Sequence, residues 1–169
     1  MFVHDDVKSA IPFMKKSHAE GKPFFINLWM HEPHTPFHVD PKLQKLFPDL
    51  PEADNIYAAT LYHADLRIGQ LLDALDDLKI SDQTLVIFSS DNGPARGSPN
   101  SPIALSYDSA TGPGHGIGAA KGITGGRRAF KGALLEGGIG VPFIARWPGK
   151  ISAGKVDKTS VLSAVDLLP

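Results

Sequence analysis

The sequence predicts an α/β fold, a mostly parallel sheet covered by helices on both faces, and two observations carry that expectation. Three short continuous apolar runs rich in β-formers, Phe24 to Trp29, Leu85 to Ser89 and Pro142 to Trp147, read as strands buried on both sides. Such runs suit a parallel sheet, in which neither face meets water. Between the first two lies the longest helical pattern, about Glu52 to Leu78. Leu61, Ile68, Leu72 and Leu75 fall on one stripe of it, with Asp73, Asp76 and Asp77 off the stripe. The order is strand, helix, strand.

The remaining elements follow from the same rules. A helix over about Asp6 to His18 is expected to end at Gly21 and Lys22-Pro23, which stop a helix before the first strand. Asp65 sits on the apolar stripe of the long helix and is expected to be a carboxylate hydrogen-bonded inside the fold. From Gly93 to Gly126 the chain is crowded with Gly, Pro and Ser and has no periodicity, which predicts one long surface loop. A loop of that length is usually functional or disordered, and residues 94–126 follow one candidate site and precede another. Three strands make too small a doubly covered sheet, and Val165 to Pro169 look like the start of a new helix. Residues 1–169 are therefore expected to be an incomplete part of a larger domain.

Composition narrows the function. With 42% hydrophobic and 21% charged residues, the 169-residue chain has the material for one globular core. Lys plus Arg (17) nearly balances Asp plus Glu (18), so there is no electrostatic footprint for nucleic acid or an anionic membrane, and any anion affinity must be local. No apolar run approaches the roughly 18–20 residues of a membrane span, and residues 1–20 lack the apolar stretch of a secretion signal. The absence of Cys excludes disulfides, thiolate metal sites and a cysteine nucleophile within these residues, while leaving the compartment open.

Three motifs could carry chemistry. Ser89-Ser90-Asp91-Asn92-Gly93 lies at the C-terminal end of the second strand, where ligands gather in open α/β sheets. Asp91 and Asn92 offer a carboxylate and an amide oxygen, hard ligands suited to Ca²⁺ or Mg²⁺. Asn-Gly is also the strongest short hairpin signal, but Pro94 follows and no alternating strand returns within a few residues. Trp29-Met30-His31-Glu32-Pro33-His34-Thr35-Pro36 ends the first strand. His31 and His34 can hydrogen-bond an anion or transfer a proton near neutral pH, or else face solvent on a Pro-rich loop. Zinc binding together with His38 is disfavoured, because Pro33 and Pro36 prevent the helix that would align the three rings. Arg127-Arg128-Ala129-Phe130-Lys131-Gly132, followed by Glu136-Gly137-Gly138, places a Lys beside glycines, where it can act as a point charge on a sulfate or phosphate oxygen, or be part of a solvated basic patch. The glycines of Gly112 to Gly118 do not form G-x-G-x-x-G, and neither Gly149-Lys150 nor Gly154-Lys155 completes a P-loop, so nucleotide binding is not indicated.

In their order, these motifs resemble the type I sulfatases of the alkaline phosphatase superfamily, from about Phe24 to the end of the chain. The residues that carry the likeness are His31-Glu32-Pro33, Thr84 to Gly93, Lys131 with Glu136-Gly137-Gly138, and Val141 to Gly149. The resemblance implies an alkaline phosphatase-like fold and calcium-dependent hydrolysis of sulfate esters, with Mg²⁺ as the alternative ion. It implies Asp91 and Asn92 as metal ligands, and His31 and Lys131 as catalytic residues in contact with the sulfate. On this reading Lys131 neutralises a sulfate oxygen and His31 protonates the departing alcohol. His31 is preferred over His34 because the family pattern is His-x-Pro. His34 would sit beside the pocket as a substrate-binding residue, and His115 is a weaker substrate contact.

The family's nucleophile is a formylglycine made from Cys or Ser in a C/S-x-P-x-R motif. That motif does not occur in these residues, so the formylglycine and an Asp-Asp calcium pair are expected N-terminal to them. Gly140 stands where relatives often carry Arg, and Leu135 where they often carry an aromatic. The substrate implied is a small-molecule or glycan sulfate ester, with sulfated sugars favoured. The location implied is periplasmic, secreted or lysosomal. The rival expectations are a phosphate or phosphonate ester hydrolase of the same superfamily and a non-catalytic binding protein for sulfated glycans.

Overall fold

The computed structural model describes residues 6–98, 100–103 and 114–167. In order these are α1 (Asp6–Ala19), α2 (Pro41–Gln44), α3 (Glu52–Asp77), β1 (Val86–Ser89), α4 (Glu136–Ile139) and β2 (Phe143–Arg146), with 3₁₀ turns at Ser81–Gln83, Ile117–Ala119 and Ala164–Leu167.

Both long helices form where the periodicity predicts. In α1 the buried residues Val7, Ala10, Met14 and Ser17 recur every three or four positions and so share one face. At 26 residues, α3 is about 39 Å long and serves two separate cores. Its first turns bury Ile56 against Phe37, Ala119 and Ala120. Its last turns bury Ala74 and Leu75 against Met14 and Ile80.

Each end of α3 has a local cause. Before it, Asp40 caps α2 by accepting a hydrogen bond from the Lys42 amide (2.8 Å), and Pro41 occupies a first-turn position where its missing N–H costs nothing. The Asn55 amide then donates to the carbonyls of Gln44 and Phe47 at 2.9 and 2.7 Å, closing the turn between the two helices. At the far end Lys79 is left-handed (φ 59°), the Ile80 amide donates to the Leu75 carbonyl and the Lys79 amide to that of Asp76. This is a Schellman ending, and the buried Leu75 and Ile80 supply its apolar contact.

The sheet differs from the expectation. Among the described residues it has two strands, β1 and β2, and they run antiparallel, with Val86 opposite Arg146 and Ser89 opposite Phe143. Continuous apolar runs report burial in a sheet, whereas the sense of pairing depends on where the connection returns the chain. Residues 24–29 pair with neither strand. They alternate instead: Phe24 and Ile26 pack on the Met14 cluster, while Phe25 and Trp29 are 87% and 81% exposed. Nor do helices cover both faces here, since Ile87, Phe88, Phe143 and Ile144 are exposed. The end of β2 is tied back to the end of α3, with the Trp147 indole N–H donating to the Asp82 carbonyl (2.8 Å) and Arg146 reaching Asp76.

Three smaller expectations are also corrected. The stretch from Gly93 to Gly126 is not wholly a surface loop, because the turn at Ile117–Ala119 carries Ala119 and Ala120 into the core beneath Phe37; residues 99 and 104–113 of it lie outside the described residues. Asp65 is exposed, in the stretch of α3 between its two cores, although neighbouring His63 is largely buried. The helix expected at Val165 to Pro169 is a 3₁₀ turn, Ala164–Leu167, with residues 168 and 169 outside the described residues.

Ile56 is fully buried and Leu61, five residues on, is 43% exposed. Ile56→Ala is therefore expected to lower unfolding stability by about 2–5 kcal/mol, and Leu61→Ala by less than about 1 kcal/mol, read from denaturant midpoints at constant m.

Candidate functional site

Asp91 and Asn92 follow β1 directly, and backbone contacts carry the chain from there to Lys131. The Gly93 amide donates to the Gly138 carbonyl (2.8 Å), and the Lys131 amide donates to the Pro94 carbonyl (3.0 Å). The Gly137 amide in turn donates to the Arg128 carbonyl at 2.7 Å. Such proximity needs residues without side chains. A Cβ on Gly93 would lie 2.0 Å from the Gly137 carbonyl oxygen, and one on Gly137 would lie 2.0 Å from that of Ala129. The glycines of Glu136-Gly137-Gly138 thus let α4 sit against the segment that follows β1, and the backbone of Lys131 is bonded to that same segment at Pro94.

The donor set at Asp91 and Asn92 suits a hard cation. The Asn92 side-chain N–H donates to the Gly93 carbonyl (2.8 Å), which leaves its Oδ1 as an acceptor. The Asp91 carboxylate is exposed and, among the described residues, receives only a long contact from the Ser90 hydroxyl at 3.4 Å. One carboxylate and one amide oxygen fit Ca²⁺ or Mg²⁺ as part of a shell that needs about six to eight oxygens for calcium. No cluster of three or more His, Cys, Asp or Glu arranged to hold a metal occurs among the described residues, so His31, His34 and His38 form no zinc site there.

His31 and His34 lie together on the turn after residues 24–29, their ring centroids 5.7 Å apart. His34 Nδ1–H donates to the Thr35 carbonyl (2.6 Å), which orients the ring and leaves Nε2 as its free nitrogen. The peptide bonds before Pro33 and Pro36 are both cis. His34-Thr35-Pro36 satisfies His-x-Pro as fully as His31-Glu32-Pro33 does, so that pattern does not separate the two histidines.

Two anchors hold this turn, and no local pattern announces the first. His63 Nδ1–H on α3 donates to the Glu32 carboxylate (3.2 Å), with both side chains largely buried. Phe37 exchanges backbone hydrogen bonds with His115, each 2.9 Å, and buries its ring in the core edge-on to Tyr57. Half-buried His115 is thereby a backbone partner of the turn. Tyr57 is itself buried enough to hold its hydroxyl pKa above the usual value. Among the described residues, no hydrogen bond or ion pair joins His31 or His34 to Asp91, Asn92 or Lys131. The two groups are linked through α3 and through the Gly97 amide, which donates to the Ala120 carbonyl (3.3 Å) beneath Phe37.

A Cβ on Gly140 would lie 3.2 Å from Arg127 Cδ and 3.3 Å from its Nε, so the Arg127 side chain enters the space that a larger residue at 140 would claim.

Comparison with known proteins bears on this arrangement. The sulfatase family model matches residues 4–169. The chain belongs to the sulfatase family. Arylsulfatase G of Rattus norvegicus is 31% identical over 160 residues, 95% of this chain and 27% of that protein. N-acetylgalactosamine-6-sulfatase of Canis lupus familiaris is 31% identical over 156 residues, 89% of this chain and 24% of that protein. The crystal structure of Ps i-CgsB in complex with k-i-k-neocarrahexaose superposes with a TM-score of 0.70 at 29% identity, covering 90% of this chain and 29% of that one. The PsFucS1 sulfatase from Pseudoalteromonas sp. gives a TM-score of 0.64 at 27% identity over 88% of this chain and 25% of that one. This sulfatase chain thus spans about a quarter of the length of the relatives it matches.

Two glycine substitutions test the join between β1 and α4. Gly93→Ala is expected to cost about 1–3 kcal/mol or more through overpacking against backbone. Gly132→Ala, where φ is +91° and the space is open, should cost about 1–2 kcal/mol through backbone conformation alone. Thermal unfolding of the two variants gives the ordering.

Proposed function

We propose that these residues form part of the catalytic centre of a sulfuric ester hydrolase acting on sulfated sugars, with residues 94–126 flanking the site. The observation that supports the reading is the pair of backbone hydrogen bonds, Gly93 to Gly138 and Lys131 to Pro94, that joins the segment following the candidate cation ligands Asp91 and Asn92 to the backbone around Lys131. Sulfated sugars are favoured because one relative is an N-acetylgalactosamine-6-sulfatase and one structural neighbour was crystallised with a neocarrahexaose.

Asp91 and Asn92 Oδ1 would hold part of the coordination shell of Ca²⁺, or of Mg²⁺. A cation bound there supplies positive charge close to the sulfate oxygens. The Lys131 ammonium, a compact point charge, neutralises a further sulfate oxygen as negative charge builds on the ester during cleavage. The leaving alcohol needs a proton, and the histidine pair supplies it. His34 is the better defined donor, because its Nδ1–H is committed to the Thr35 carbonyl and Nε2 carries the transferable proton when the ring is in its imidazolium form, and His31 beside it hydrogen-bonds the sulfate. This gives His34 the role that the motif order assigned to His31. The nucleophile, expected to be a formylglycine, is contributed by residues outside this chain.

The test is turnover of an aryl sulfate by the protein with its nucleophile segment. Lys131→Ala should reduce kcat by about 10²–10³, as expected for loss of a group that stabilises developing charge. His34→Ala should reduce kcat more than His31→Ala, and the gap should shrink for a substrate with an acidic leaving phenol, which needs no proton. A larger loss at His31, shrinking with the acidic leaving phenol, would return the donor role to His31. The 169 residues alone should give no turnover above that of their own Lys131→Ala variant.

A further inference from the structure

Beside Lys131 lies an open cavity of about 360 Å³ that the proposed chemistry leaves unused. Its walls are the two segments already joined at the site: Arg96, two residues past Pro94, forms one, and Phe130, adjacent to Lys131, the other. Its rim is the turn from Gly122 to Gly126. Gly125 (φ +63°) and Gly126 (φ +85°) have nothing within 4 Å of where a Cβ would stand, so the rim is left without side chains on that side.

The Arg96 guanidinium lies over the Phe130 ring, its Cζ 4.9 Å from the ring centroid. Stacking on the aromatic face uses the plane of the guanidinium and leaves the in-plane N–H fork available. Among the described residues no carboxylate pairs with Arg96, whereas neighbouring Lys121 is paired to Asp54 (3.4 Å). Between Lys121 and Leu135 there are three further cations, Arg127, Arg128 and Lys131, and no acidic residue. Ile123 is 84% exposed on the rim and adds an apolar surface beside the charge.

We infer that this cavity is a subsite for an anionic group, sulfate or carboxylate, on the sugar next to the one whose ester is cleaved, with Arg96 as its specificity-determining residue. The inference rests on the sulfate-ester reading above. The volume lies at the lower end of small-ligand pockets and suits one sugar ring. Phe130 and Ile123 offer the apolar contact that the C–H face of a ring requires, and the Arg96 fork donates hydrogen bonds to two oxygens of the anion. Rigid attachment of Arg96 and Phe130 to the segments carrying Asn92 and Lys131 sets the spacing between the two anions.

The test compares three disaccharides bearing the same cleavable sulfate, with a neutral, a sulfated or a uronic acid neighbour, on the protein with its nucleophile segment. The expected result is a kcat/KM at least about tenfold higher for an anionic neighbour than for the neutral one, the scale of a charge-assisted hydrogen bond. Arg96→Gln should bring that ratio to about one, Arg96→Lys should retain part of it, and Phe130→Leu should lower it. The sulfated and uronic neighbours together tell which anion is preferred. A ratio that survives Arg96→Gln in a protein with unchanged thermal midpoint overturns the subsite while leaving ester hydrolysis intact. If no disaccharide is cleaved, calorimetric binding of the same three separates the two ideas: Arg96-dependent preference for the charged neighbour supports the subsite and rejects hydrolysis, and its absence rejects both.

Discussion

The constraint on which the site depends is a backbone-to-backbone contact, the seating of residues 137 and 138 against residue 93. Side-chain interactions could be rearranged around a shift of an ångström, but peptide groups lying where any Cβ would collide cannot. The chain brings the backbone after Asp91 and that of Lys131 together across forty residues by removing side chains at three positions and letting amides and carbonyls pair. This is a close approach purchased with glycine's conformational entropy, because each unsubstituted residue loses more freedom on folding than any other type. The antiparallel ladder of β1 and β2 then continues the same contact outward, with Gly138 and Phe143 on one side facing Gly93 and Ser89 on the other.

A second constraint acts through α3. Its two ends pack into different clusters, so the helix behaves as a spacer between the start of β1 at Val86 and the histidine turn. The Glu32 to His63 hydrogen bond fastens that turn to the middle of the helix, and Phe37 fastens it to the base of the long loop. A buried carboxylate facing an imidazole is costly unless it is satisfied, which makes the pair a register device. Loss of either partner would leave the other desolvated, and the histidine rings would lose their fixed position relative to α3. The site is thus two rigid groups on one frame, each tied to that frame by a different kind of bond.

How far this could be read in the sequence depends on the range of the cause. The helices α1 and α3 and their ends follow from local periodicity and capping, and both formed as expected. Asp91, Asn92 and Lys131 could be singled out as candidates because a strand end followed by Asp-Asn-Gly, and a Lys followed by paired glycines, are local patterns. The sheet was not legible in the same way. Phe24 to Trp29 carries the composition of a strand, yet pairing is a long-range matter, and these residues alternate between a core face and an open one. Asp65 shows the complementary failure, since helical phase alone cannot tell where along a helix the core stops. Glu32 and His63 were missed because nothing in a sequence links positions thirty-one apart that meet only in the fold.

Arg96 and Phe130 illustrate why net charge misleads about ligands. With 17 basic and 18 acidic residues the chain is nearly neutral, and a global field that draws anions is absent. What matters is distribution. The acids gather on α3 and at exposed turns, while residues 121–131 carry four cations without an intervening acid. An anion approaching that segment meets a local excess within a Debye length of about 8–10 Å, over which screening is incomplete. Stacking on Phe130 removes part of the guanidinium's freedom before any ligand arrives, so less rotamer entropy is lost on binding than from an unstacked arginine. A neutral protein can therefore discriminate between differently charged sugars, provided that the discriminating cation is held still beside the reacting centre.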